Sequence, residues 1–149
     1  MNLISVEKIV PVARERLVTV RDDAPLVEAA KVLDGKHINL VVCDEGGAMV
    51  GIVTRTDVVR QMAFCQGCGC TAAAATVMTK DVTYCRPGDL LHDVWSIMKE
   101  RKLLHVPIIG DDLSPLGVIN ARDALLVLLE GSEYEEGLLR DYVMGIGYR

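Results

Sequence analysis

The sequence predicts a mixed α/β (α+β) fold: two pseudo-symmetric β-α-β-β-α units packed as a pair. Three observations carry this. The stretch Gly51-Ile52-Val53-Thr54-Arg55-Thr56-Asp57 returns at an offset of 66 as Gly117-Val118-Ile119-Asn120-Ala121-Arg122-Asp123. The segments around each copy recur in the same order, and self-similarity at a fixed period signals a repeated architecture. Half of the 149 residues are apolar and a quarter are charged, which provides for a real core and excludes disorder.

Taken in order, residues 1–16 read as a lead-in. Val18-Thr19-Val20 is a short β-branched strand. Asp22-Asp23-Ala24-Pro25 opens a helix with proline just inside it, and Leu26, Ala29, Ala30 and Leu33 follow at helical spacing. Asn39-Leu40-Val41-Val42-Cys43 is a continuous apolar run, as expected of a strand covered on both faces. Asp44-Glu45-Gly46-Gly47 turns the chain, Ala48 to Val53 return antiparallel, and a second helix runs from Thr54 to about Met62.

The order then restarts. Val82-Thr83-Tyr84 matches the first strand, and Arg86-Pro87-Gly88-Asp89 stands at the first helix start. Leu90, Val94, Ile97 and Met98 make the apolar stripe. His105-Val106-Pro107-Ile108-Ile109 is the buried strand, Gly110-Asp111-Asp112 the turn and Leu116 to Ile119 the return. The early part aligns at an offset of 64 and the late part at 66. The two extra residues fall near Met98–Lys102, between helix and strand. The expected divisions are 1–62 (first repeat with its lead-in), 63–76 (a cysteine-containing linker), 77–130 (second repeat) and 131–149 (an amphipathic tail). In the tail Tyr134, Leu138, Tyr142 and Ile146 recur every four residues, a stripe for its own domain or for a partner subunit.

Each repeated motif ends a strand at a polar side chain that can cap a helix. Free N–H groups and the positive end of a helix dipole then meet at one point, which suits an anion. The glycine admits close approach to the backbone, and the aspartate can accept from a hydroxyl pair. Thr54…Asp57 equally fits a capping box, in which the two side chains satisfy helix-terminal N–H groups.

These paired G-h-h-[ST/N]-x-x-D segments, with the His105-to-Ile109 strand, resemble the cystathionine-β-synthase (CBS) motif. The whole chain from about Val18 to Leu129 resembles a stand-alone tandem CBS module. The resemblance implies two clefts between the repeats that take adenosyl ligands: AMP, ADP, ATP, NAD or S-adenosylmethionine. It implies ribose held by Asp57, phosphate by Thr54 and its helix N-terminus, and adenine among Thr83, Tyr84, Val106 and Pro107. For Asp123 the corresponding residues are Thr19, Val20, Leu40 and Val41. Arg55, Arg122 and His105 are the cations expected near phosphates, Arg55 being equally a candidate for a solvated surface. Asn120 stands where threonine or serine is usual and offers no hydroxyl donor, so the Asp57 cleft is expected to be the better site. The implied role is a ligand-sensing regulatory module without catalysis and without a required cofactor. A homodimer joined through helix faces into a disc and an unidentified protein partner complete that picture.

Cys65-x-x-Cys68-x-Cys70 falls outside the CBS pattern. Three thiols in six residues can wrap a soft metal or a cluster, with Cys85 as a possible fourth ligand, or they are exposed redox-active thiols. A metal- or redox-responsive sensor is therefore the alternative function, and a non-binding dimeric adaptor the third. Cys43 reads as a small core residue, and His37 and His92 have no metal-site spacing. No nucleophile–base or carboxylate pair points to an enzyme. The net charge of −5 and the lack of a basic stripe argue against nucleic acid. The N-terminus carries no signal-peptide apolar region, and Ala124 to Leu129 is too short to span a bilayer. A cytoplasmic protein is expected.

Overall fold

The structure, a computed structural model, describes residues 3–35, 37, 39–64 and 72–130. The Cys65, Cys68 and Cys70 loop and the stripe from Tyr134 to Ile146 lie outside the described residues.

A short 3-10 turn, Val6–Ile9, runs into helix α1 (Val10–Glu15). The first repeat follows as β1 (Thr19–Arg21), α2 (Leu26–Leu33), β2 (Asn39–Cys43), β3 (Met49–Thr54) and α3 (Arg55–Phe64). A one-turn helix, α4 (Ala74–Val77), leads to α5 (Leu91–Arg101), β4 (His105–Ile109), β5 (Pro115–Asn120) and α6 (Ala121–Glu130). The mixed helix-and-sheet pair expected from the sequence is what forms. Both hairpins share one register: Asn39 faces Thr54 and His105 faces Asn120, with an irregularity at the corresponding step, Val42/Cys43 and Ile108/Ile109.

The repeats differ at the opening strand. In the first, β1 lies parallel to β2 and the Val41 N–H donates to the Val18 carbonyl at 2.9 Å. Residue 107, which corresponds to Val41, is a proline and has no N–H to give. Val82-Thr83-Tyr84 therefore does not extend as a strand, and the second sheet has two strands where the first has three. One bridge survives beside it: the Cys85 N–H donates to the Pro107 carbonyl at 3.0 Å, and the Ile109 N–H to the Cys85 carbonyl at 2.9 Å.

Other differences are local. Pro25 is the extended N-cap of α2 rather than its first helical residue. Leu90 likewise caps α5, so Leu91, Val94 and Met98 carry the buried stripe, and Ile97 is exposed. The extra residues of the second repeat lengthen the helix itself, eleven residues against eight. Lys102 then closes α5 in the left-handed region (φ 57°), and the Leu103 N–H bonds the Met98 carbonyl at 2.9 Å, a Schellman-type stop.

The core has three parts, and their membership shows how the halves are tied. Leu26, Ala29, Leu33, Leu40, Val42, Val53 and Val58 of the first repeat pack with Ala74 of α4, and Val77 and Met78 lean against them. Leu91, Val94, Met98, Val106, Ile108, Ile119 and Ala124 of the second repeat pack with Val6, Ile9 and Ala13 from the chain's beginning. Each repeat is thus completed by the segment that precedes the other. Between the sheets, Val41, Cys43 and Met49 meet Ile109 and Val118. This explains the unbroken apolar run of β2. Leu40 and Val42 face the helices, Val41 and Cys43 face the other sheet, and all five strand residues are buried.

The motif glycines serve this exchange. A Cβ on Gly117 would lie 2.8 Å from the Ala13 carbonyl carbon and Cβ. One on Gly51 would lie 2.6 Å from the Met78 sulfur and 2.8 Å from the Thr79 carbonyl oxygen. What comes close to each glycine is the crossing segment of the chain itself. Among the described residues, no helix is long and apolar enough to cross a membrane.

Candidate functional site

The two motif aspartates have opposite fates. In the first repeat the Thr54 N–H donates to Asp57 Oδ2 at 2.9 Å, and the Asp57 N–H donates to Thr54 Oγ1 at 3.2 Å. That reciprocal pair is a capping box at the start of α3. In the second repeat Asn120 replaces the threonine, and its Oδ1 accepts from the Arg122 N–H at 2.8 Å. The cap is made one residue earlier, and Asp123 takes no part in it. Its carboxylate instead accepts two bonds from Arg16, one from Nε and one from Nη2, the latter at 3.0 Å. Asp123 is 12% exposed and Arg16 45%. The pair joins the end of the lead-in to the tip of α6.

Beside this pair lies a cleft of about 290 Å³ between the repeats, lined by Val12, Glu15, Arg16, His37, Asn39, His105, Val118 and Asn120. Asn39 and His105 are corresponding residues at the starts of β2 and β4. The hydrogen bonds fix how the polar groups face it. Because Asn120 Oδ1 is spent on a backbone N–H, its amide nitrogen is the atom 3.2 Å from His105 Nε2. His105 Nε2 is then the acceptor and its proton sits on Nδ1. Burial, with Arg16 nearby, pushes the His105 pKa below its ordinary value, Asp123 offsetting part of this, so the imidazole is neutral at pH 7.

Stability should follow. The unfolded chain takes up a proton at His105 near pH 6.5, while the folded protein resists it. The contribution of His105 to stability is therefore constant above that pH and is lost as the pH drops from there through the lower folded value. His105→Gln should lose less melting temperature than the parent protein between pH 7 and pH 5, read by circular dichroism. Equal losses would contradict the assignment.

The other sequence-predicted residues spread over several places. Leu40, Val41, Val106 and Pro107 are buried in the strands, so residues at strand starts line the cleft. Thr19 is exposed and Val20 packs on the first core. Thr83, Tyr84 and Val106 line a second hollow of about 220 Å³ with Asp89, Asp93, Val94 and Ile97. There the Thr83 hydroxyl accepts from Arg101 at 2.8 Å, and the Arg86 guanidinium sits 5.9 Å from the centre of the Tyr84 ring. Thr54, Asp57 and Asp123 line neither hollow, and Asp123 is joined to the first through its pair with Arg16.

Arg55 is exposed, and its guanidinium is engaged by backbone carbonyls. Its guanidinium donates to the carbonyls of Leu33 (2.7 Å), Gly35 (2.5 Å) and His37 (3.2 Å), closing the C-terminus of α2. The Arg122 side chain is exposed. Cys85 is buried in the core of the second repeat, and burial pushes its thiol up to about 12; the cysteine loop it was expected to join lies outside the described residues. Sequence reasoning missed Arg16, Glu15, His37 and Asn39. The first two lie in the lead-in, which bears no motif, and His37 and Asn39 precede the residues the resemblance singled out.

The comparisons agree with this architecture. The family model for the CBS domain matches residues 6–63 and 74–130. The chain is 27% identical over 141 residues to an uncharacterized 17.7 kDa protein in the bps2 3′ region of Acidianus ambivalens, covering 94% of this chain and 84% of that protein. It is 31% identical over 102 residues to a homoserine O-acetyltransferase of Methanobrevibacter ruminantium, covering 68% of this chain and only 20% of the enzyme. Among solved structures, the CBS domain pair of protein MJ0100 in complex with 5′-methylthioadenosine and S-adenosyl-L-methionine superposes with a TM-score of 0.69 at 23% identity, over 85% of this chain and 97% of that one. The cytosolic domain of the Mg2+ channel MgtE in complex with ATP gives 0.63 at 21% identity, over 75% of this chain and 45% of that one.

Proposed function

Since this chain belongs to the CBS-domain family and carries two repeats in tandem, we propose that its regulatory role is to sense an adenosine ligand in the cleft beside Asp123. The observation that carries this reading is the cleft itself: polar groups of both repeats, His37 and Asn39 from one and His105 and Asn120 from the other, converge on it. Asp123 is outside the lining itself, but both of its oxygens accept N–H bonds from Arg16, which does line the cleft, an arrangement a ribose diol would take over. Structural neighbours bound to adenosyl compounds and to ATP support the ligand class. Because the cleft has walls from both repeats, occupancy shifts their relative set, and a partner reads the shift. The module works as a cytoplasmic homodimer without chemistry of its own.

A thermal-shift panel of AMP, ATP, NAD and S-adenosylmethionine tests the proposal. Ligand at about 100 times its dissociation constant stabilises by about 2.7 kcal/mol, or about 5–11 °C for a chain of this length. Asp123→Ala should remove the response. Asp57→Ala should lower the ligand-free melting temperature through its lost cap, about 1 kcal/mol, while leaving the ligand shift in place. A shift that survives Asp123→Ala and vanishes in Asp57→Ala would move the site to the other motif.

A further inference from the structure

The Arg16–Asp123 pair has a consequence for which ligands the cleft accepts. Arg16 grips Asp123 with two parallel N–H bonds, so any hydroxyl pair seeking the same oxygens competes with a guanidinium. Charge-assisted bidentate bonds are roughly twice as strong as neutral ones. A ligand that offers only hydroxyls would lose that contest and leave Arg16 without a partner.

Arg16 also lines the cleft. It is the one arginine or lysine among the lining residues, and a guanidinium stays cationic at every accessible pH. Its five donors suit phosphate oxygens as well as carboxylate. The side chain is nearly half exposed, which leaves it room to turn.

We propose that Arg16 is the selector of the cleft. It covers Asp123 until a ribose takes the carboxylate, and then transfers to the ligand's phosphate. The cleft thereby favours adenosine bearing a 5′-phosphate over neutral adenosine and over the cationic S-adenosylmethionine. This rests on the reading of the cleft given above.

Isothermal titration of the full chain with adenosine, AMP and S-adenosylmethionine tests it, using the parent protein, Arg16→Ala and Arg16→Gln. The parent should bind AMP at least about tenfold tighter than either other ligand. Both variants should shift the ligands in opposite directions: AMP weaker by about tenfold, adenosine tighter, with the preference collapsing. Circular dichroism melts of both variants check that the exposed substitution leaves the fold intact. AMP binding with the same preference in Arg16→Ala overturns the selector role alone and leaves the nucleotide site standing. So does a parent protein that prefers S-adenosylmethionine. No heat from any of the three ligands overturns the reading of the cleft, and the role of Arg16 falls with it.

Discussion

Ile9→Ala should destabilise the protein by about 2–5 kcal/mol, lowering the melting temperature by about 10 °C at this chain length. The residue belongs to the lead-in and lies outside the repeated unit, yet it is only 1% exposed and packs among Leu91, Met98, Val106 and Ile119. Removing three carbons there leaves a cavity between α5, β4 and β5 that the two-stranded sheet cannot close without moving. Leu3→Ala, six residues earlier and 70% exposed, should change stability by less than about 0.5 kcal/mol. Because each repeat is finished by the other's leading segment, the Ile9→Ala melt should remain a single transition. Early melting of the second repeat alone, or a cost as small as that of Leu3→Ala, would show that the crossing segment does not hold the halves together.

Gly117→Ala should cost about 2–3 kcal/mol, or about 4–12 °C. The new Cβ would come within 2.8 Å of both the carbonyl carbon and Cβ of Ala13, and 3.0 Å from the Ala13 carbonyl oxygen. Two of those atoms are backbone, so relief requires α1 to lift off β5. That lift would also carry Arg16 away from Asp123, and ligand affinity should fall along with stability. Gly88→Ala is the control, since a Cβ there has nothing within 4 Å. Ala13→Gly combined with Gly117→Ala should recover part of the loss, because it removes one of the three clashes. A Gly117→Ala protein as stable as Gly88→Ala would contradict the close crossing.

The fold was largely legible because its signals are periodic and doubled. The strand pattern of Leu40 to Cys43, the glycine turns and the amphipathic stripes each appear twice in one order, so a chance match in either copy is corrected by the other. The misplaced parts are those where a single backbone atom decides. Val82-Thr83-Tyr84 has strand propensity, but propensity loses to the missing N–H of Pro107, a partner twenty-odd residues away in the sequence. Pro25 and Leu90 were displaced by one position, since cap geometry depends on the dihedral angles of the residue before the helix.

The candidate site was legible in its motif and not in its walls. Asp57 and Asp123 look alike in the sequence, and Asn120 looked like a weakness. In the structure the amide of Asn120 caps Arg122, and Asp123 is free of the cap to meet Arg16, whereas Thr54 ties Asp57 to its own helix. The substitution that counts against the second copy in the sequence is also the one that leaves Asp123 outside the helix cap, where Arg16 holds it. Arg55 was ambiguous for a related reason. A cation after a motif threonine can serve a phosphate or a helix end, and the contact with the α2 carbonyls depends on a helix end 22 residues away in the sequence. Arg16 had no signal at all, because its partner lies 107 residues away.

Amide hydrogen exchange of the protein with and without saturating AMP tests the central claim most directly. Slowed exchange is expected in three segments only, each containing a residue that lines the cleft: Arg16 and Leu17, Asn39 and Leu40, and Asn120 to Ala124. Protection centred on Thr54 to Val58 with the cleft amides unchanged, or no protection anywhere, would contradict it.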